Sequence, residues 1–197
     1  VDVLRARASV SGILGRSEEA LELLRKAAML DPLSTSTRRF LGLRCAMYGH
    51  LDEAVKELRA SLDLSPRSGL AHAFLAITRL WQGLPGEALL EAEQEPFGDF
   101  RLMCLAIVHH TLGNASESDA ALSKLIGDFE GNAAYQIAEA CAWRGEVDQA
   151  CAWLERAYAQ RDRGLVHMAS DRLLSPLRAD PRWQPLINKM GFAVLHD

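Results

Sequence analysis

The sequence predicts an all-α chain of about five stacked helix pairs, followed by a shorter helical segment that closes the C-terminal end. Three observations predict it. Helix formers dominate and β-branched residues are sparse. A glycine recurs at Gly15, Gly49, Gly83, Gly113 and Gly145, with spacings of 34, 34, 30 and 32 residues. Small residues keep a fixed distance from each glycine: Ala8, Gly42, Ala76, Ala106 and Ala138 before it, and Ala20, Ala54, Ala88, Ser118 and Ala150 after it.

Each recurring position has a mechanical role. The paired small residues let two helices approach closely, where a bulkier side chain costs about 1–3 kcal/mol of overpacking. The glycine ends the first helix of a pair, because a left-handed residue past the last turn suits glycine best. Acids follow in Glu18-Glu19, Asp52-Glu53 and Glu146, where the positive N-terminal end of the second helix favours them. Leu24, Leu58, Ala92, Leu122 and Leu154 stand four residues beyond the second set of small residues. Pro32 and Pro66 close the first two units in AAMLDP and SLDLSP, since proline cannot continue the hydrogen-bond ladder.

These phrases, above all LGLRCAMYGHLDEAVKELRASLDLSP and AEACAWRGEVDQACAWLERAYAQ, resemble the tetratricopeptide repeat (TPR) family. The resemblance covers residues 1–162, in units near 1–34, 35–68, 69–98, 99–130 and 131–162. It implies a right-handed α-α superhelix, a TPR solenoid. The third unit departs from the pattern by reaching Pro96 early, in EAEQEPFGDF.

Residues 163–197 are different. Pro176, Pro181 and Pro185 permit only short helices, while Leu173, Leu174, Leu177, Trp183, Leu186, Ile187 and Met190 supply an apolar surface. A solenoid needs a terminal element over its last face, and this segment is read as that cap. Its phrase SPLRADPRWQPLINKMGF resembles the ends of TPR regions in bacterial class III adenylate cyclases and winged-helix transcription regulators. That second resemblance implies a regulatory or dimerisation arm of a larger bacterial signalling protein. The opening, VDVLRARASV, has neither an initiator Met nor a signal-peptide pattern, so a longer parent chain is expected.

Composition narrows the function classes. The net charge is −4 over 197 residues, with a pI near 5.9, which opposes the concentrated basic field of a nucleic-acid binder. No apolar run approaches the roughly 20 residues of a membrane span. Cys45, Cys104, Cys141 and Cys151 match no zinc or redox spacing and are expected to be buried thiols in a reducing, cytoplasmic setting. No phosphate loop, dinucleotide loop, HExxH or GxSxG motif is present. His109 and His110 are adjacent and point about 100° apart on a helix, which ill suits a shared metal. The expectation is therefore a non-enzyme with no cofactor and no metal.

What remains is binding of a protein or peptide. In the family that the repeats resemble, the first helix of each pair lines the concave face. That assigns Arg39, Leu43 and Met47 in the second unit to a groove, Ile77 and Trp81 in the third, Met103, Ile107 and His110 in the fourth, and Tyr135, Glu139 and Trp143 in the fifth. Leu43, Met47, Ile77, Trp81, Met103, Ile107 and Trp143 would form an exposed apolar stripe, which marks an interface. The expected occupant is a helix or extended peptide, from another protein or from another domain of the same chain. The oligomeric state stays open, since an uncapped first pair could self-associate into a homodimer.

Overall fold

The computed structural model describes residues 1–191. Ten helices form five antiparallel pairs: α1 (Asp2–Ile13) with α2 (Ser17–Leu30), α3 (Thr35–Met47) with α4 (Leu51–Leu64), α5 (Ala71–Trp81) with α6 (Pro85–Gln94), α7 (Gly98–Thr111) with α8 (Ala115–Phe129), and α9 (Ala134–Trp143) with α10 (Val147–Gln160). Two short 3₁₀ turns, Arg163–His167 and Ser175–Leu177, and α11 (Trp183–Lys189) follow, and there is no strand among the described residues. The last six residues of the expected cap lie outside them. The chain divides into two compact units, Val1–Phe97 and the part from Gly98 on.

Every pair closes through the same turn. The five recurring glycines have φ of 73°, 90°, 77°, 79° and 79°. In each turn the residue after the glycine donates its N–H to the carbonyl five residues back, at 2.8–2.9 Å: Arg16 to Ser11, His50 to Cys45, Leu84 to Arg79, Asn114 to His109 and Glu146 to Cys141. The glycine itself donates three residues back. Two of the carbonyls that a helix end leaves unpaired are thereby satisfied, the Schellman arrangement.

The small residues are where the paired helices touch. A Cβ on Gly42 would lie 2.6 Å from Leu58 Cγ and 3.1 Å from the Ala54 carbonyl oxygen. Ser118 replaces the usual alanine and uses its hydroxyl to donate to the Ala106 carbonyl at 2.7 Å, joining the two small positions of its pair directly. All ten small positions are buried, as are Leu24, Leu58, Ala92, Leu122 and Leu154. Burying such Leu side chains contributes roughly 1.5–3 kcal/mol each.

The departure at Pro96 has a structural replacement. Glu95 is fully buried at the end of α6. Its Oε1 accepts the N–H groups of Leu70 and Phe97 at 3.0 Å each, and Oε2 accepts Ala73 N–H at 2.9 Å. The carboxylate thus caps α5 across the pair, where the positive end of that helix favours it. It also holds Leu70 at φ 70°, a left-handed conformation that costs a non-glycine about 1–2 kcal/mol. Gly69 beside it is required for space, because a Cβ there would fall 2.2 Å from the Phe97 ring. In the last pair Asp162 repeats the device, accepting Tyr135 N–H at 3.1 Å and Gly164 N–H at 2.9 Å.

In the second unit the tail lies on α9 and α10. Leu165, Met168, Leu173, Leu174, Leu177, Leu186 and Ile187 are buried, and Trp183 and Met190 are half-buried. Arg182 reaches Asp148 at 2.8 Å and Lys189 pairs with Glu155, fixing the segment to the outside of α10.

Two outcomes are expected. Gly83→Ala meets no neighbour but keeps φ at 77°, so it should cost about 1–2 kcal/mol of backbone strain, whereas Gly42→Ala should cost about 1–3 kcal/mol through overpacking against Leu58. Denaturant titrations of the two variants measure both. All four cysteines are buried, and burial pushes the Cys45 and Cys141 thiols up to about 12. An aromatic disulfide reagent should therefore label none in the folded protein and all four after denaturation.

Candidate recognition surfaces

The face that the TPR resemblance assigns to recognition takes two different forms in the two units. In the first unit it remains accessible at Leu43, Met47 and Trp81. Leu43 and Met47 lie one helical turn apart on α3 and are half-buried, as is Trp81 at the end of α5. The Trp81 ring packs against the core beneath α1 to α4. Arg39, one turn before Leu43, donates to the Gly69 carbonyl at 2.8 Å. Burial lowers its pKa, Glu95 opposes that shift and Arg5 adds to it. Arg5 in turn reaches Ser36 Oγ at 3.0 Å. The patch is therefore apolar at one end and cationic at the other.

Arg44 belongs to the same region, and the sequence reading omitted it. It is 2% exposed and stacks over the Phe40 ring, 5.1 Å from its centre, with Nη1 3.8 Å from Met47 Sδ. Gly12 makes the room: a Cβ there would lie 2.8 Å from Tyr48 Oη and 3.6 Å from Arg44 Cζ. Burial lowers the Arg44 pKa. A signal was available, because the corresponding positions of the other first helices are Val10, Thr78, Val108 and Ala140. An arginine at a position otherwise small or apolar stands out.

The expectation of one exposed apolar stripe needs correction. Ile77 is 6% exposed, Met103 3% and Ile107 0%. Their side chains are core, since first helices carrying long apolar runs, AHAFLAITRLW in α5 and LMCLAIV in α7, bury most of their circumference.

In the second unit the tail covers the assigned face. Tyr135 and Glu139 are 2% and 8% exposed beneath it. Tyr135 donates its hydroxyl to Asp171 Oδ2 at 2.7 Å, and Asp171 Oδ1 accepts Leu173 N–H at 2.8 Å. Glu139 Oε2 is buried without a hydrogen-bond partner. Burial, reinforced by the Asp171 and Asp162 carboxylates, raises the Glu139 pKa well above the usual carboxylate range. Burial likewise raises Tyr135, with Asp171 and Glu139 adding to it. Of the assigned residues only His110 and Trp143 stay accessible there, and Trp143 donates its indole N–H to Thr111 Oγ1 at 3.0 Å. His109 is half-buried and His110 exposed. No group of three metal-binding side chains occurs among the described residues, and no described helix is long and apolar enough to cross a membrane.

No family model matches the chain, and no curated protein matches it. Solved structures do. A thermophilic TPR protein from Thermus thermophilus aligns over 88% of this chain and 98% of its own, at 17% identity and a TM-score of 0.64. PilW, a type IV pilus biogenesis factor, aligns over 98% of this chain and 94% of its own, at 13% identity and a TM-score of 0.61. YrrB, a TPR protein with an unusual peptide-binding site, aligns over 84% and 89%, at 17% identity and a TM-score of 0.51. At these identities the likeness is one of fold, and the fold is that of the TPR solenoids.

The buried Glu139 carboxyl makes stability depend on pH. Its pKa is raised in the folded chain, so the folded state holds a proton that the unfolded state gives up above the ordinary carboxylate range. Stability should be full below that range and fall as pH rises toward the folded pKa. Glu139→Gln, a neutral group of the same shape, should flatten this slope and raise the melting temperature at neutral pH. Thermal melts of both forms between pH 4 and pH 9 check it, and parallel slopes contradict it.

Proposed function

We propose that this chain is a docking module without chemistry of its own, which holds a peptide or amphipathic helix on the inner face of its first unit. One observation carries the reading. Leu43, Met47 and Trp81 form a half-buried apolar patch that begins beside Arg39 and Arg5, the latter held by Ser36. Apolar side chains of a ligand would cover the patch, where methionine and tryptophan suit adaptable contact. An acidic residue of the ligand would meet the arginines. The TPR fold supports the reading, and YrrB supplies a protein of the same fold with a peptide-binding site. Four buried thiols suit a reducing compartment, so we place this docking in the cytoplasm.

The test uses accessible positions only. Leu43→Glu with Met47→Glu should abolish retention of a partner captured from a lysate of the source cells, and Arg39→Ala should weaken it about ten-fold. Circular dichroism should remain helical in both. A partner retained equally by all forms moves the site off this face, and capture of nothing specific counts against docking of a separate protein.

A further inference from the structure

The tail is fastened to α9 at a buried side chain. Asp171 is 6% exposed; its Oδ2 accepts the Tyr135 hydroxyl and its Oδ1 the Leu173 N–H. Glu139 stands one turn after Tyr135 on α9, with Asp171 in hydrogen-bonding reach of its carboxyl. Two carboxyl groups thus meet across the boundary between tail and helix, and Glu139 Oε2 is buried without a partner. Both oxygens of Asp171 already accept hydrogen bonds, so the proton that lets the two groups lie together belongs to Glu139. The charges that act on Glu139 are those of Asp171 from the tail and Asp162 from the end of α10, both acidic. Among the described residues, α7 and α8, which also pack on α9, add no further charge to it. Arg178 of the tail donates to the Asp171 backbone carbonyl, at 3.3 Å.

We propose that the tail is a strap over α9 that lifts when Glu139 gives up its proton, uncovering the recognition face of the fifth pair. Without that proton the pair would hold two like charges together away from water, a strongly unfavourable arrangement. One side must leave, and the tail is the side less firmly held. It consists of two short 3₁₀ turns, whose hydrogen-bond geometry is poorer than that of an α-helix, and a helix of 7 residues. α9 keeps its own backbone ladder and packs on α7, α8 and α10. Lifting carries Asp171 into water and leaves Tyr135 and Glu139 open on α9. Aligned on the turn glycines, these positions correspond to Arg39 and Leu43. The strap therefore guards in the second unit the positions that stay open in the first. Its opening is a property of the second unit alone and does not require the first unit to dock a ligand.

Hydrogen exchange of the intact chain, read by mass spectrometry from pH 5 to pH 9 and corrected for the intrinsic pH dependence of exchange, tests the proposal. The closed form holds a proton that the lifted form gives up. Lifting is therefore least below the ordinary carboxylate range and grows about ten-fold per pH unit until the folded pKa of Glu139 is reached. Protection of residues 165–177 should fall by that factor, while α8 and α10 keep theirs. Glu139→Gln supplies a permanent neutral donor and should hold the tail protected across the whole range. Asp171→Asn supplies the donor from the tail side, and should do the same if the first variant fails to fold. A tail whose corrected protection is independent of pH overturns the proposal. So does a loss shared equally by α7 to α10, which is unfolding of the unit, or a Glu139→Gln tail that opens as the wild type does.

Discussion

The close approach of two helices within each pair is the constraint on which the other features rest. It is set at one contact, between a small residue on the first helix and a small residue on the second, and Gly42 shows how little room is left there. With the axes that near, the connection between helices must reverse in very few residues. The left-handed glycine and its two backbone hydrogen bonds accomplish this in all five pairs. The long apolar side chains then pack around the contact, Leu58 directly against Gly42, and Leu24, Leu58 and Leu154 are almost fully buried.

Where the repeat pattern weakens, charge takes over part of its work. Pairs three and five lack a side-chain cap of their own at the first helix. In both, an acid from just past the second helix reaches back across the pair, Glu95 to α5 and Asp162 to α9. In pair two the ordinary solution is used instead, Ser34 capping α3 from its own chain segment. The buried carboxylate of Glu95 is tolerable because three N–H groups and a helix N-terminus surround it. It is also what keeps Leu70 in a conformation that its side chain disfavours.

The two units use the same helix face differently. In the first, Leu43, Met47 and Trp81 stay half open beside arginines, while Ile77 is core. In the second, the tail turns inward over Tyr135 and Glu139, and burial beside the Asp171 and Asp162 carboxylates raises the Glu139 pKa well above the usual carboxylate range. A surface that could have recognised a separate peptide is thus occupied by the chain's own C-terminal segment.

The periodic part of this protein was determined by the sequence alone. Turn glycines, small contact residues and apolar second helices obey short-range rules, so their spacing names the helices, the turns and the fold. The tail's short helices followed equally from three prolines. Exposure was a different matter. Ile77 and Ile107 carry the same helix position as Leu43, and Met103 that of Arg39, and nothing in their spacing distinguishes a buried copy from an open one. That distinction depends on which neighbouring element covers the helix, as does the contrast between Val10 and Thr78. Tertiary packing alone decided it, because burial is a property of the neighbours a side chain meets and not of its place in the repeat.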